Sequence, residues 1–222
     1  GQRALDVGCG PGALTARLVD RLGADAVSAV DPSTAFLAAA RARFPDVDVR
    51  HASAEALPFG DGTFDATLAQ LVVHFMEDPV AGLREMGRVT RAGGVVAACV
   101  WDFAGRHSPL SLFWSAAEEA DETVVTESGL AGARDGHLVE LATAAGLADP
   151  EHSVLTVSVP YDSFEEWWEP YTLGVGPAGS YLASVDVDVR EQIYRRCREQ
   201  LPAGRFEVTA RAWCVRATAS DS

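Results

Sequence analysis

Through the first hundred residues, short apolar runs alternate with stretches in which apolar residues recur every three or four positions. Ala4–Val7 is an apolar run ending in a glycine-rich turn, and Ala13–Leu22 carries Leu14, Leu18 and Leu22 at helical spacing. A second strand is predicted over residues 27–30, stopped by Asp31 and Pro32. Ser33 or Thr34 then caps a helix through Phe36, Leu37, Ala40 and Phe44. Residues 47–50 form a third strand, and 64–73 a fourth, apolar enough to be buried on both faces. An amphipathic helix over 80–91 turns Leu83, Met86 and Val89 inward and is ended by Gly93 and Gly94, before a fifth strand over 95–101. Strands joined by crossover helices define a parallel, doubly wound sheet.

The second half is less regular. Helices are expected over 109–122, 136–145 and 189–201, and strands over 154–159 and 206–217, with an aromatic, glycine-rich stretch at 164–182. No low-complexity linker separates the halves. The pattern therefore predicts a single domain over 1–222, its core at about 1–160 and 204–219, with a helical insertion at about 161–203 between the last two strands.

Charge and composition narrow the functions open to this fold. The net charge is −14, every basic residue is arginine, and lysine and asparagine are both absent. That removes lysine Schiff bases, the phosphate-loop lysine and the N-glycosylation acceptor. It also disfavours nucleic-acid partners, because the one dense basic cluster, Arg190, Arg195, Arg196 and Arg198, is interleaved with Glu191 and Glu199. No apolar run is long enough to span a bilayer, so no membrane partner is expected. Cys9, Cys99, Cys197 and Cys214 are scattered without metal-ligand spacing, so no metal site is expected. Four free thiols and no leader segment fit a cytoplasmic setting, and the lysine-free, alanine-rich composition suits a bacterial genome.

The chemistry-bearing stretch is Leu5-Asp6-Val7-Gly8-Cys9-Gly10-Pro11-Gly12. A strand enters, three alternate glycines turn the chain, and a helix leaves. Glycine suits such a turn because a Cβ would block a ligand and positive φ would be strained. Asp31 ends the second strand eighteen residues after Ala13, where a carboxylate reaches ribose hydroxyls. Gly8, Gly10 and Ala13 also satisfy the looser dinucleotide fingerprint, so the glycines alone do not choose a cofactor. Asp6, at the strand tip, favours a ligand bearing a cationic amino group.

With these residues the chain resembles the class I S-adenosylmethionine (SAM)-dependent methyltransferases, in particular the group related to ubiquinone/menaquinone-biosynthesis C-methyltransferases. LDVGCGPG, VDPS at residues 30–33, SAEALPF at 53–59 and LREMGRVTRAGGVV at 83–96 carry the resemblance, over about residues 4 to 101. It implies a Rossmann-like, seven-stranded, mostly parallel sheet with an antiparallel last strand, and S-adenosyl-L-methionine as cofactor. It further implies that Asp6, Gly8 and Gln70 line the methionine end, that Gly10 and Gly12 permit close approach, and that Asp31 with Pro32 holds the ribose. Ser53 and Ala54 would meet the adenine, Ser53 standing where the family usually has aspartate. Family members generally carry one or two helices ahead of the first strand, and here Gly1 precedes it by only a few residues.

Methyl transfer needs an aligned acceptor in a dry pocket, and a base only if the nucleophile must lose a proton. His74, beyond the fourth strand, and Asp102, ending the fifth, are the candidate bases. The other four histidines, His107 among them, lack a supporting constellation. Trp101, Trp114, Trp168 and Tyr171 are the expected acceptor-pocket residues, although the aromatic cluster also suits a small core of the insertion's own. The fourth strand carries no nucleobase-methyltransferase motif, so a small apolar or aromatic acceptor is expected. Two other readings are a non-catalytic SAM-binding module and an NAD-dependent oxidoreductase. The residues do not name the acceptor, the methylated atom or the oligomeric state. Cys9, inside the cofactor turn, is expected to be shielded from alkylation by bound cofactor.

Overall fold

β1 (Ala4–Val7) is buried at every position and lies between two other parallel strands, which is why it reads as an unbroken apolar run. The computed structural model describes residues 1–220. From β1 the chain continues through α1 (Ala13–Leu22), β2 (Val27–Asp31), α2 (Thr34–Arg43), β3 (Asp48–His51), β4 (Phe64–Gln70), α3 (Pro79–Val89) and β5 (Thr90–Trp101). It then forms α4 (Ser111–Ala120), α5 (His137–Ala144), β6 (Ala148–Tyr161), α6 (Phe164–Thr172), α7 (Gly176–Ser184), α8 (Val187–Gln200) and β7 (Phe206–Thr218). The seven strands lie in the order β3-β2-β1-β4-β5-β7-β6, six of them parallel and β7 antiparallel to its neighbours. This is the expected doubly wound sheet, with three helices between the last two strands.

Two compact units share the chain. One comprises Gly1–Val100, Leu130–Val154 and the chain end from Trp213; the other comprises Trp101–Gly129 and Leu155–Ala212. The second unit is larger than the 161–203 insertion. Its core joins Phe113, Trp114, Ala116 and Ala117 of α4 to Phe164, Trp167, Trp168 and Tyr171 of α6 and to Ile193 and Cys197 of α8. In the first unit, Val27, Ala29, Leu37, Ala40, Val47 and Val49 pack β2 and β3 under α2, with Cys9 in the same cluster.

Local chemistry explains the helix starts. Ser33 caps α2 by accepting from the Phe36 amide, and Asp78 caps α3 ahead of Pro79. Ser163 accepts from the Glu166 amide while Glu166 reaches back to the Asp162 amide, a reciprocal pair at the start of α6.

Three strands depart furthest from their predicted bounds. β4 stops at Gln70 because Leu71 takes a left-handed φ of 60°, which breaks the strand although Val72 and Val73 continue the apolar run. β5 begins at Thr90, so Gly93 and Gly94 lie inside the strand, at a register irregularity against β4, instead of ending the helix before it. β6 runs for 14 residues because its polar start, which reads as loop, pairs with β7.

Candidate functional site

The glycine turn is fastened to the end of β2. The amides of Gly8 and Cys9 donate to the Val30 carbonyl at 2.8 and 2.9 Å. The Asp31 carboxylate accepts from the Gly10 amide and from the Ser33 amide, both at 2.8 Å. Asp31 is buried, and a carboxylate has further lone pairs beyond those two bonds. One side chain therefore ties the turn to the start of α2 and still presents acceptor capacity at the strand end.

The three glycines serve different ends. All have positive φ: 70° at Gly8, 54° at Gly10 and 91° at Gly12. A Cβ on Gly8 would stand 2.4 Å from a Val72 methyl carbon, and one on Gly12 would stand 2.5 Å from the Phe44 ring. Those two positions are glycine because the protein itself occupies the space. A Cβ on Gly10 would meet nothing within 4 Å, which leaves Gly10 as the position open to a ligand.

Beside the turn lies a cleft of about 390 Å³, lined by Gly8, Pro32, Ser53, Ala54, Glu55 and Val72, with Ala52, Phe75, Met76 and Glu77. That volume is of the size that holds a small-molecule cofactor. Gly8, Pro32, Ser53 and Ala54 thus share one cleft; Gly10 and Asp31 are not among its lining residues, Asp31 preceding Pro32 in the chain and accepting from the Gly10 amide. Gln70 is exposed at the tip of β4 and is not among the residues lining this cleft. The cleft wall from Val72 to Glu77 is not expected from the sequence, which reads residues 72 and 73 as the end of the fourth strand and singles out only His74 beyond it; Phe75 is more than half exposed there.

Asp6, expected to meet a cationic amino group, is buried at the strand tip. It is 1% exposed, and it accepts from the Thr15 hydroxyl at 2.6 Å and from the Thr15 amide. Burial raises its pKa from 3.8 to about 6 against the lowering effect of Thr15, and the nearby Asp31 charge adds to the rise. Asp6 therefore binds a proton more tightly in the folded chain than in the unfolded one. Stability consequently falls as pH rises from about 4 to about 6, by about 3 kcal/mol for roughly two units. Asp6→Asn is expected to melt higher than the parent at pH 7.5, with the difference shrinking towards pH 4. A difference independent of pH would show that Asp6 carries no such penalty.

The two candidate bases are both buried. Asp102 is 1% exposed and accepts from the Gly105 amide at 2.8 Å and from His107 Nδ1 at 2.7 Å, with Arg211 Nη2 at 3.4 Å. Its carboxylate fastens the turn after β5 and is not presented to an acceptor. His107, given no constellation by the sequence, is the exposed member of that network. His74 packs on the Phe75 ring, and burial pulls its pKa down to about 4, so it is neutral near pH 7 and a weak base.

Of the four expected pocket residues, Trp114, Trp168 and Tyr171 lie in the second unit's buried cluster, and Trp101 is not part of it. Trp168 packs inside the second unit's core between Phe164 and Tyr194. Trp114 donates to the buried Glu127 at 2.9 Å and borders a small polar cavity of about 130 Å³. Trp101 is half-buried at the end of β5. Tyr171 stacks on Phe113 with its ring centroid 4.6 Å away and, with Tyr161, Trp167 and Pro170, walls a groove of about 260 Å³. Trp114, Trp167, Trp168 and Tyr171 are all buried in that core, and Trp167 and Tyr171 also border the groove.

A doubly wound sheet with a glycine turn, a buried carboxylate ending β2 and an adjoining cleft defines a nucleoside-cofactor protein of the α/β class. Comparisons with known proteins narrow the class. A methyltransferase-domain family model matches residues 5–98. An uncharacterized methyltransferase of Mycobacterium tuberculosis is 30% identical over 209 residues, 90% of this chain and 73% of that protein. The demethylmenaquinone methyltransferase of Beutenbergia cavernae is 44% identical over 94 residues, so the chain matches only 38% of that relative's length. The YcgJ protein of Bacillus subtilis has the same fold, with a TM-score of 0.64 at 18% identity over all of this chain and 93% of that one. The chain belongs to the S-adenosylmethionine-dependent methyltransferases.

Proposed function

We propose that the chain transfers a methyl group from S-adenosylmethionine to a small apolar or aromatic acceptor. The observation that carries the cofactor half is the charge of the cleft. Glu55 and Glu77 line it, Asp6 and Asp31 stand at the adjoining turn, and no arginine is among its lining residues. A dinucleotide would bring its pyrophosphate into this acidic surround, whereas a sulfonium and an ammonium are attracted to it. That argues against the nicotinamide reading.

Asp31 would hold the ribose hydroxyls, the open side of Gly10 would admit the cofactor backbone, and Ser53 with Ala54 would border the adenine. When bound, the cofactor supplies an activated methyl group on its sulfonium. The chain's part is to hold, orient and exclude water. With Asp102 engaged and His74 neutral, the residues best suit an acceptor that reaches the site already deprotonated or as a neutral nucleophile.

The aromatic groove of Tyr161, Trp167 and Tyr171 supports an apolar or planar acceptor. Demethylmenaquinone, the acceptor named for the Beutenbergia relative, is one such lead. The region aligned with that relative amounts to 42% of this chain, so the lead needs a direct test. Incubation with methyl-labelled S-adenosylmethionine and a panel of naphthols, catechols, aliphatic amines and duplex DNA is expected to label an aromatic member. Label on DNA, or only on aliphatic amines, would overturn the acceptor assignment. Cofactor binding without label on any panel member would favour the non-catalytic module.

A further inference from the structure

Two of the four cysteines lie on neighbouring strands of the sheet. β5 and β7 are adjacent and antiparallel, with the Asp102 amide donating to the Arg211 carbonyl at 2.9 Å. Three residues back along β5 from Asp102 is Cys99, and three residues onward along β7 from Arg211 is Cys214. Their thiols hydrogen-bond to each other, and both residues are half-buried. Facing residues on antiparallel strands have Cα atoms about 4.5–5.5 Å apart, within the roughly 4.4–6.8 Å that a disulfide spans.

We propose that Cys99 and Cys214 form a redox-active dithiol that undergoes exchange with low-molecular-weight disulfides and closes reversibly to a cross-strand disulfide.

The environment separates this pair from the other two thiols. The bond from Cys214 lowers the pKa of Cys99 to about 7 against the raising effect of burial, and the Leu71 backbone acts on the thiol in the same direction as Cys214. Cys9 and Cys197 are fully packed, and burial pushes each up to about 12. Near neutral pH the thiolate, which is the attacking species, therefore forms at Cys99. Its sulfur attacks one sulfur of the small disulfide, forming a mixed disulfide and releasing one thiolate. Cys214, losing its proton to solvent, then attacks the Cys99 sulfur and expels the second thiolate. The two protein thiols are thereby oxidised by two electrons, and the small disulfide is reduced to two thiols. Leu71 follows Gln70, which pairs with Cys99, and precedes Val72 of the cofactor cleft, so the dithiol lies one strand away from that cleft.

The test uses the whole chain with oxidised glutathione at pH 7.5, followed by mass spectrometry and peptide mapping. The parent is expected to lose two of its four thiols and about 2 Da, with the bond mapped to Cys99 and Cys214 and reversed by dithiothreitol. Cys214→Ser is expected to stop at a glutathione adduct on Cys99, which also shows that the variant is folded enough to react at that position. Four thiols retained by the parent, or a bond mapped to any other pair, would overturn the proposal. Peptide mapping of the parent decides the matter even if the serine variant fails to fold.

Discussion

Asp31→Ala is expected to raise the dissociation constant for S-adenosylmethionine by at least roughly a hundredfold. Two hydrogen bonds from ribose hydroxyls to an ionised acceptor contribute about 1.5–3 kcal/mol each, and every 1.4 kcal/mol is a factor of about ten. The substitution also strips the Gly10 and Ser33 amides of their acceptor, so the turn loosens where the ligand would approach it. Asp31→Asn separates the two effects, since its carboxamide oxygen still accepts a bond from the turn without the charge. Calorimetric titration of both variants, with melting curves to confirm folding, gives the answer. Unchanged affinity in a folded Asp31→Ala chain would remove the ribose role from this residue.

The second large effect is expected at Trp168, as lost stability. This side chain is 9% exposed and surrounded by Phe113, Phe164, Trp167, Tyr171 and Tyr194. Trp168→Ala is expected to destabilise the second unit by about 3–5 kcal/mol, the usual cost of removing a buried aromatic ring. Urea unfolding followed by tryptophan fluorescence measures it. A loss below about 1 kcal/mol would mean that the ring packs loosely enough to belong to a binding surface. Trp167, which also borders the groove, is 3% exposed in the same core, so its truncation is expected to cost stability as well.

Much of the cofactor half was legible because local chemistry and fold agree there. The run at β1, the positive φ needed at Gly8 and Gly12, and the carboxylate ending β2 each leave a direct mark on the residue types. What stayed hidden depended on contacts made in three dimensions. Leu71 turns left-handed without being glycine, so the end of β4 and the cleft wall from Val72 to Glu77 could not be read from the apolar pattern. The bond from Thr15 to Asp6 and the burial of that carboxylate are not visible in the residue types. Asp102 and His107 meet only because the chain turns back after β5. Trp168 and Tyr171 have the same composition signal, yet one fills the core while the other also borders a groove.

The thiols show the same division. Cys9 was expected to need bound cofactor for its protection, whereas burial together with the charges of Asp6 and Asp31 already holds it protonated. Alkylation at Cys9 is therefore expected to be slow with or without ligand, as timed labelling with iodoacetamide would show.

Whether the acidic cleft beside the glycine turn holds S-adenosylmethionine can be seen in a crystal structure of the chain with S-adenosylhomocysteine. Ribose hydroxyls are expected on the Asp31 carboxylate, the adenine beside Ser53 and Ala54, and the ligand passing the open side of Gly10. A nucleoside bound elsewhere on the chain, or a cleft that takes NAD in preference to S-adenosylhomocysteine under the same conditions, would contradict this assignment.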